Sequence, residues 1–142
     1  MGCLANEFML HHLSLAVSDL QRSARFYDAV LAALGYRRVA ESAQFVGYGI
    51  EDGKDRFALK FRDGTVAPAP GFHLAFTAPD HGSVDAFFNA GLSHGGSDAG
   101  PSGLRPDYGP SYYAAFLDDP DGHRIEAVHK DGVERNGASA AT

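Results

Sequence analysis

An α+β fold built from two tandem βαβββ modules is what this sequence predicts, and three observations predict it. Residues 12–35 return 61 positions later as residues 73–96, with seven of 24 positions identical: His12/His73, Leu13/Leu74, Asp19/Asp80, Phe26/Phe87, Ala29/Ala90, Leu31/Leu92 and Gly35/Gly96. Unrelated sequence gives roughly one or two such matches, so the chain carries two copies of one supersecondary unit. Each copy opens on an alternating stretch, HLSLAV and FHLAFTA, whose period of two is that of a half-buried strand. Each then passes into apolar residues at helical spacing.

In the first copy His12, Ser14 and Ala16 share one strand face, and Leu13, Leu15 and Val17 the other. Ser18 or Asp19 is placed to cap the helix that follows. Leu20, Ala24, Tyr27, Leu31 and Leu34 form its buried stripe, and Gly35 ends it in a left-handed conformation. Strand-like runs at 36–41, 44–49 and 56–61 complete the module, with Asp-Gly turns at 52–53 and 63–64. The linker TVAPAPG covers 65–71. The second copy repeats the plan: His73, Ala75 and Thr77 on one face, a cap at Asp80 or Ser83, and a helix carrying Val84, Phe87, Phe88 and Leu92 that stops at Gly95-Gly96. The Gly/Pro-rich stretch 97–110 is too long for a tight turn and reads as an irregular active-site loop. Strands follow at 112–117 and 123–129, joined by the DDPDG turn.

A chain of 142 residues suits a single domain over 1–142, with module one at about 10–64, module two at about 72–130, and a small, polar, flexible tail at 131–142. A domain this large buries about 70% of its unfolded surface and needs no staples. The single Cys3 forms no internal disulfide and fits a reducing cytoplasm. No apolar run approaches the ~18 residues of a membrane span, and the start MGCLANEF lacks the pattern of a secretory signal. A net charge of −6 without a Lys/Arg cluster argues against nucleic acid and anionic membranes as partners. A small molecule is the expected partner.

Both module-opening histidines stand on faces that are otherwise small, which leaves room over the sheet. In the last strand Glu126 lies between Ile125 and Ala127. A carboxylate there is costly unless paired or metal-bound. His12, His73 and Glu126 form a two-histidine, one-carboxylate set suited to one divalent ion per chain, Fe, Mn, Zn or Ni, with positions left for substrate. Arg105, Tyr108, Tyr112 and Tyr113 are placed to line the mouth and hold an anionic or phenolic substrate. Tyr113 and His123 are the candidates for proton transfer. His11, turned from His12 by alternation, reads as structural, as do His81, His94 and His129.

The stretches HLSLAVSDLQRSARFYDAVLAALGY, FHLAFTAPDHGSVDAFF and FLDDPDGHRIEAVH resemble the vicinal oxygen chelate superfamily, the group of glyoxalase I, bleomycin resistance proteins and extradiol dioxygenases. The resemblance implies a cupped, glyoxalase-like mixed sheet around a divalent metal held by His12, His73 and Glu126, and a homodimer. Glyoxalase I adds a fourth carboxylate ligand from the last strand of module one. The corresponding run RFALKFR has none, and Leu59 or Lys60 is expected in that place. This argues against lactoylglutathione lyase activity, and resembles instead the three-ligand extradiol dioxygenases and manganese-dependent fosfomycin-resistance transferases. Two functions follow. One is a metal-dependent glyoxalase- or dioxygenase-like enzyme, a lyase, isomerase or dioxygenase, acting on a small substrate chelated through vicinal oxygens. The other is a bleomycin-resistance-like ligand-binding dimer without catalysis, which has no need of the retained ligand set.

Overall fold

The computed structural model describes residues 9–131; Cys3 and all but the first residue of the tail expected over 131–142 lie outside them. The order is β1 (Leu13–Val17), α1 (Leu20–Leu34), β2 (Arg37–Ser42), β3 (Phe45–Gly49), β4 (Phe57–Phe61), β5 (Leu74–Thr77), α2 (His81–Ser93), β6 (Ser97–Leu104), a 3-10 turn (Pro106–Tyr108), β7 (Tyr113–Asp118) and β8 (Arg124–His129). This is βαβββ twice. Each module makes a mixed four-stranded sheet, ordered β1-β4-β3-β2 and β5-β8-β7-β6. In each, the first and last strands run parallel and the remaining pairs antiparallel.

The helices form where the sequence places them. Asp19 accepts from the backbone N–H of Arg22 at 3.0 Å, and Asp80 accepts from that of Ser83 at 2.7 Å, each satisfying a free donor of a first turn. Gly35 ends α1 at φ 98°, where a side chain is disfavoured. Phe26, Tyr27, Val30 and Leu31 of α1 and Val84 and Phe87 of α2 are fully buried or nearly so. They join Leu15, Val17, Val46, Leu59, Leu117, Ile125 and Ala127 in one apolar cluster. Each sheet therefore turns its helix-side residues into a core shared by both modules. Phe57 of β4 meets Phe76 of β5 edge-to-face across it, at 5.2 Å between centroids.

Polar contacts tie the modules at one end. The Asp121 carboxylate, in the β7–β8 turn, accepts from the Ser18 N–H and hydroxyl and from Arg22 at 3.0 Å. Burial pushes Asp121 up, but the Ser18 hydrogen bonds and the Arg22 guanidinium outweigh it and hold the carboxyl below its usual range. Buried Asp119 accepts from Tyr27 of α1 at 2.6 Å. Burial first, then the charge and hydrogen bond of Asp119, raise the Tyr27 phenol well above its usual range.

One expectation is corrected. Residues 97–104 are not an irregular loop but the edge strand β6. The composition misleads because an edge strand needs a partner on one side only. Pro101 is tolerated there, and the register slips against β7 between Asp98 and Gly100 and again between Gly100 and Gly103. Bulges take up the Gly/Pro content that looked like a loop.

Candidate metal centre on the open sheet faces

Alternation leaves one face of each sheet away from the helices. On β1 that face carries Ser14 and Ala16, with His12 just before it; on β5 it carries Ala75 and Thr77, with His73 just before it. All six are exposed. Glu126 of β8 pairs with Ala75, so its side chain shares the His73 side. It is 0% exposed beneath that face. His73 Nε2 stands 2.6 Å from one of its oxygens, and the Tyr112 hydroxyl donates to the other at 2.5 Å. A buried carboxylate so partnered avoids the cost of an isolated charge. Burial, then the hydrogen bond and charge of Glu126, raise the Tyr112 phenol, which keeps it a donor.

Phe116, opposite Glu126 on β7, lies 5.6 Å from the His73 ring. The Arg105 guanidinium sits over its outer side, 5.4 Å from the ring centroid. Arg105 also donates to the carbonyls of Pro101 and Gly103, which fixes the bulged end of β6. Tyr108, 61% exposed, packs edge-on against Tyr112 at 5.1 Å. Of the expected rim residues, Tyr112 touches the His73–Glu126 pair, while Arg105 and Tyr108 reach it only through Phe116 and Tyr112.

The other two candidates lie elsewhere. Tyr113 has the opposite parity: its hydroxyl donates to Asp85 of α2 at 2.7 Å, its ring stacks on His81 at 3.9 Å, and the Asp85 hydrogen bond raises its phenol. His123 is 5% exposed, and its Nδ1 faces the Asp119 carboxylate at 2.8 Å. A carboxylate only accepts, so Nδ1 carries the proton.

His12 is apart from His73 and Glu126. Among the described residues no group of three or more His, Cys, Asp or Glu side chains is placed to hold a metal ion. His12 lies at the margin of an apolar cleft of about 440 Å³ between the modules, whose far wall includes Ala75, Phe76 and Thr77. It also lines a second cleft, of about 420 Å³, with His11, Asp55 and Arg56. His11 does not turn away. Its Nδ1 is 2.9 Å from that of His12, because β1 begins at Leu13 and strand alternation does not reach back to these two residues.

The register also settles which residue replaces the missing carboxylate. Glu126 pairs with Ala75, Ala75 is the repeat of Ser14, and Ser14 pairs with Ala58. The matching position in module one is Ala58, not Leu59 or Lys60. Leu59 is fully buried in the core.

Comparison with known proteins agrees with this architecture. The profile of the Glyoxalase/Bleomycin resistance protein/Dioxygenase superfamily matches residues 9–127. Lactoylglutathione lyase of Salmonella typhimurium is 31% identical over 125 residues, covering 84% of this chain and 90% of that protein. The corresponding protein of Haemophilus influenzae is 33% identical over 132 residues, covering 82% and 89%. A crystal structure of a glyoxalase/bleomycin resistance protein from Albidiferax ferrireducens T118 superposes with a TM-score of 0.76 at 31% identity, over 87% of this chain and 99% of that one.

Proposed function

Since the chain belongs to the glyoxalase/bleomycin resistance protein/dioxygenase superfamily, we propose that it is a divalent-metal enzyme acting on a small substrate with vicinal oxygens. Its centre is completed between two copies of the chain. His73 and Glu126 of one protomer supply one half, and the partner subunit's His12 the other. The observation that carries this reading is Glu126: a fully buried carboxylate held against a histidine on an exposed sheet face. Two donors of the right chemistry already converge, and imidazole with carboxylate suits Fe, Mn, Zn or Ni. A third ligand from another copy is sterically open, because His12 and the β1 face beside it are exposed. So are Leu10 and Ile50, which line the inter-module cleft, as a surface that a second copy covers would be.

When bound, the ion supplies Lewis acidity toward the substrate's oxygens. The chain's own residues do the rest. Tyr112 holds Glu126 in place through its hydroxyl, the support that ligating carboxylates characteristically have. Phe116 gives the site an apolar wall, and Arg105 and Tyr108 present positive charge and a phenol at its rim to an anionic substrate. On this reading Tyr113 and His123, bonded to Asp85 and Asp119, position α2 and the β7–β8 turn. The single Cys3 supports a cytoplasmic setting. Among the described residues no helix is long and apolar enough to cross a membrane.

The test is metal content of protein prepared without chelator or affinity metal, beside H12A and E126Q. The expected result is about one ion per chain in the wild type and loss in both variants. The identity of the ion then selects the assay: iron toward catechols with O₂, manganese toward epoxide–thiol transfer, nickel or zinc toward isomerisation. A wild type that takes up none of these ions on reconstitution overturns the enzyme reading in favour of a ligand-binding dimer.

A further inference from the structure

Three adjacent strands of module one, β1, β4 and β3, carry a single charged side chain, Lys60. It sits on the middle strand, paired with Ala16 on one side and Phe45 on the other. Leu59 enters the core at 0% exposure, so alternation puts Lys60 on the open face with Ala58, the position that repeats Glu126. It stands two residues along the strand from that position, about 7 Å. Ser14 and Ala16 on the neighbouring strand are small and exposed. Lys60 is half-buried and makes no hydrogen bond or ion pair with any described residue. Other cations of this module are tied down. Arg37 pairs with Asp52, and Arg38 with Asp28 and Glu41. Lys54 pairs with Glu51, and the Arg56 guanidinium donates to the His11 carbonyl at 3.1 Å. An ammonium offers three donors and accepts nothing, so one partly withdrawn from water on a neutral face is complementary to an anion.

Phe45 gives that anion a shape. Its ring lies along the same face, with its tip 3.0 Å from where a Cβ on Gly47 would be, an approach that glycine within a strand permits. A flat apolar surface thus adjoins the one cation of the three strands. Asp55 gives it a direction. Its Cβ is 2.7 Å from the same point over Gly47, so a carboxylate is repelled from that end of the face and drawn toward Lys60. We propose that Lys60 anchors the substrate of this centre, and that the substrate is a planar acid: its vicinal oxygens are turned to the centre, its carboxylate to Lys60, and its plane to Phe45. The proposal rests on the reading of His12, His73 and Glu126 as that centre. One lysine offsets one charge, which matches a carboxylate better than a phosphate carrying nearly two.

The experiment is calorimetric titration of the zinc-loaded wild type, K60M and K60R with 3,4-dihydroxybenzoate and with its neutral isostere 3,4-dihydroxybenzamide. K60M keeps an unbranched apolar stem on the face and removes the charge. The wild type is expected to bind the acid at least about tenfold more tightly than the amide. K60M is expected to bind both alike, with the wild-type affinity for the amide, and K60R to keep the preference for the acid. A wild type without that preference, or a K60M that retains it, overturns the Lys60 assignment. So does a K60M whose dimer dissociates in sedimentation, because Lys60 would then serve the contact between copies. Zinc content of the same samples separates the two readings. A wild type that takes up no zinc overturns the centre, and the acid-over-amide preference of that metal-free protein, lost or kept in K60M, still decides the role of Lys60.

Discussion

If the centre forms between copies, two inactive variants must complement each other, and by a calculable amount. H12A disables the half contributed by module one, and E126Q disables the half contributed by module two. In a mixed dimer one of the two centres receives both lesions and the other receives neither. His12 is exposed, so its loss costs little packing. E126Q keeps the volume of a fully buried residue and still accepts from the Tyr112 hydroxyl. Neither substitution removes an anchor of the shared core, so both proteins fold. Co-expressed with different affinity tags and purified through both, the mixed dimer is expected to carry about one metal ion per two chains. Each parent alone carries almost none. Equal amounts of the parents left to exchange subunits would regain about a quarter of the wild-type sites, since half the dimers are mixed and each has one intact centre. A mixed dimer as empty as its parents would refute the reasoning: His12 would then serve the His73–Glu126 pair of its own chain, and every site would carry a lesion.

Two further outcomes rest on single contacts. Y112F removes the donor to Glu126, leaving a buried carboxylate one partner short, and is expected to destabilise the metal-free protein by about 1–2 kcal/mol in urea melts and to weaken metal binding; unchanged values for both would show that the hydroxyl does not hold Glu126. D121N probes the inter-module clamp through pH. Because Asp121 is held below its usual carboxylate range in the folded protein, its contribution is present above the unfolded pKa, about 3.9, and is lost as pH falls through the lower folded value. Below about pH 4 the wild type should lose stability more steeply than D121N, and parallel acid limbs would place the clamp's energy elsewhere.

The repeat made the architecture legible, because His12/His73 and Gly35/Gly96 mark the start of a strand and the end of a helix in both copies. Where one period is enough, the reading holds: Asp19 and Asp80 cap, and Glu126 takes the His73 side. Where pairing decides, it does not. Composition could not show that Gly100 and Pro101 sit in the bulges of an edge strand, and a period of two cannot say whether Ala58 or Lys60 faces Ser14. Tyr112 and Tyr113 differ by one position, yet one touches Glu126 and the other Asp85; only the β7–β8 register separates them. The same period of two bears on the proposed centre. The helix-side residues of both sheets are consumed in one shared core, which leaves His12 on the exposed side of one sheet and His73, with Glu126 beneath it, on that of the other. On the proposed reading each sheet then carries half a centre, and a second copy brings the unlike halves together.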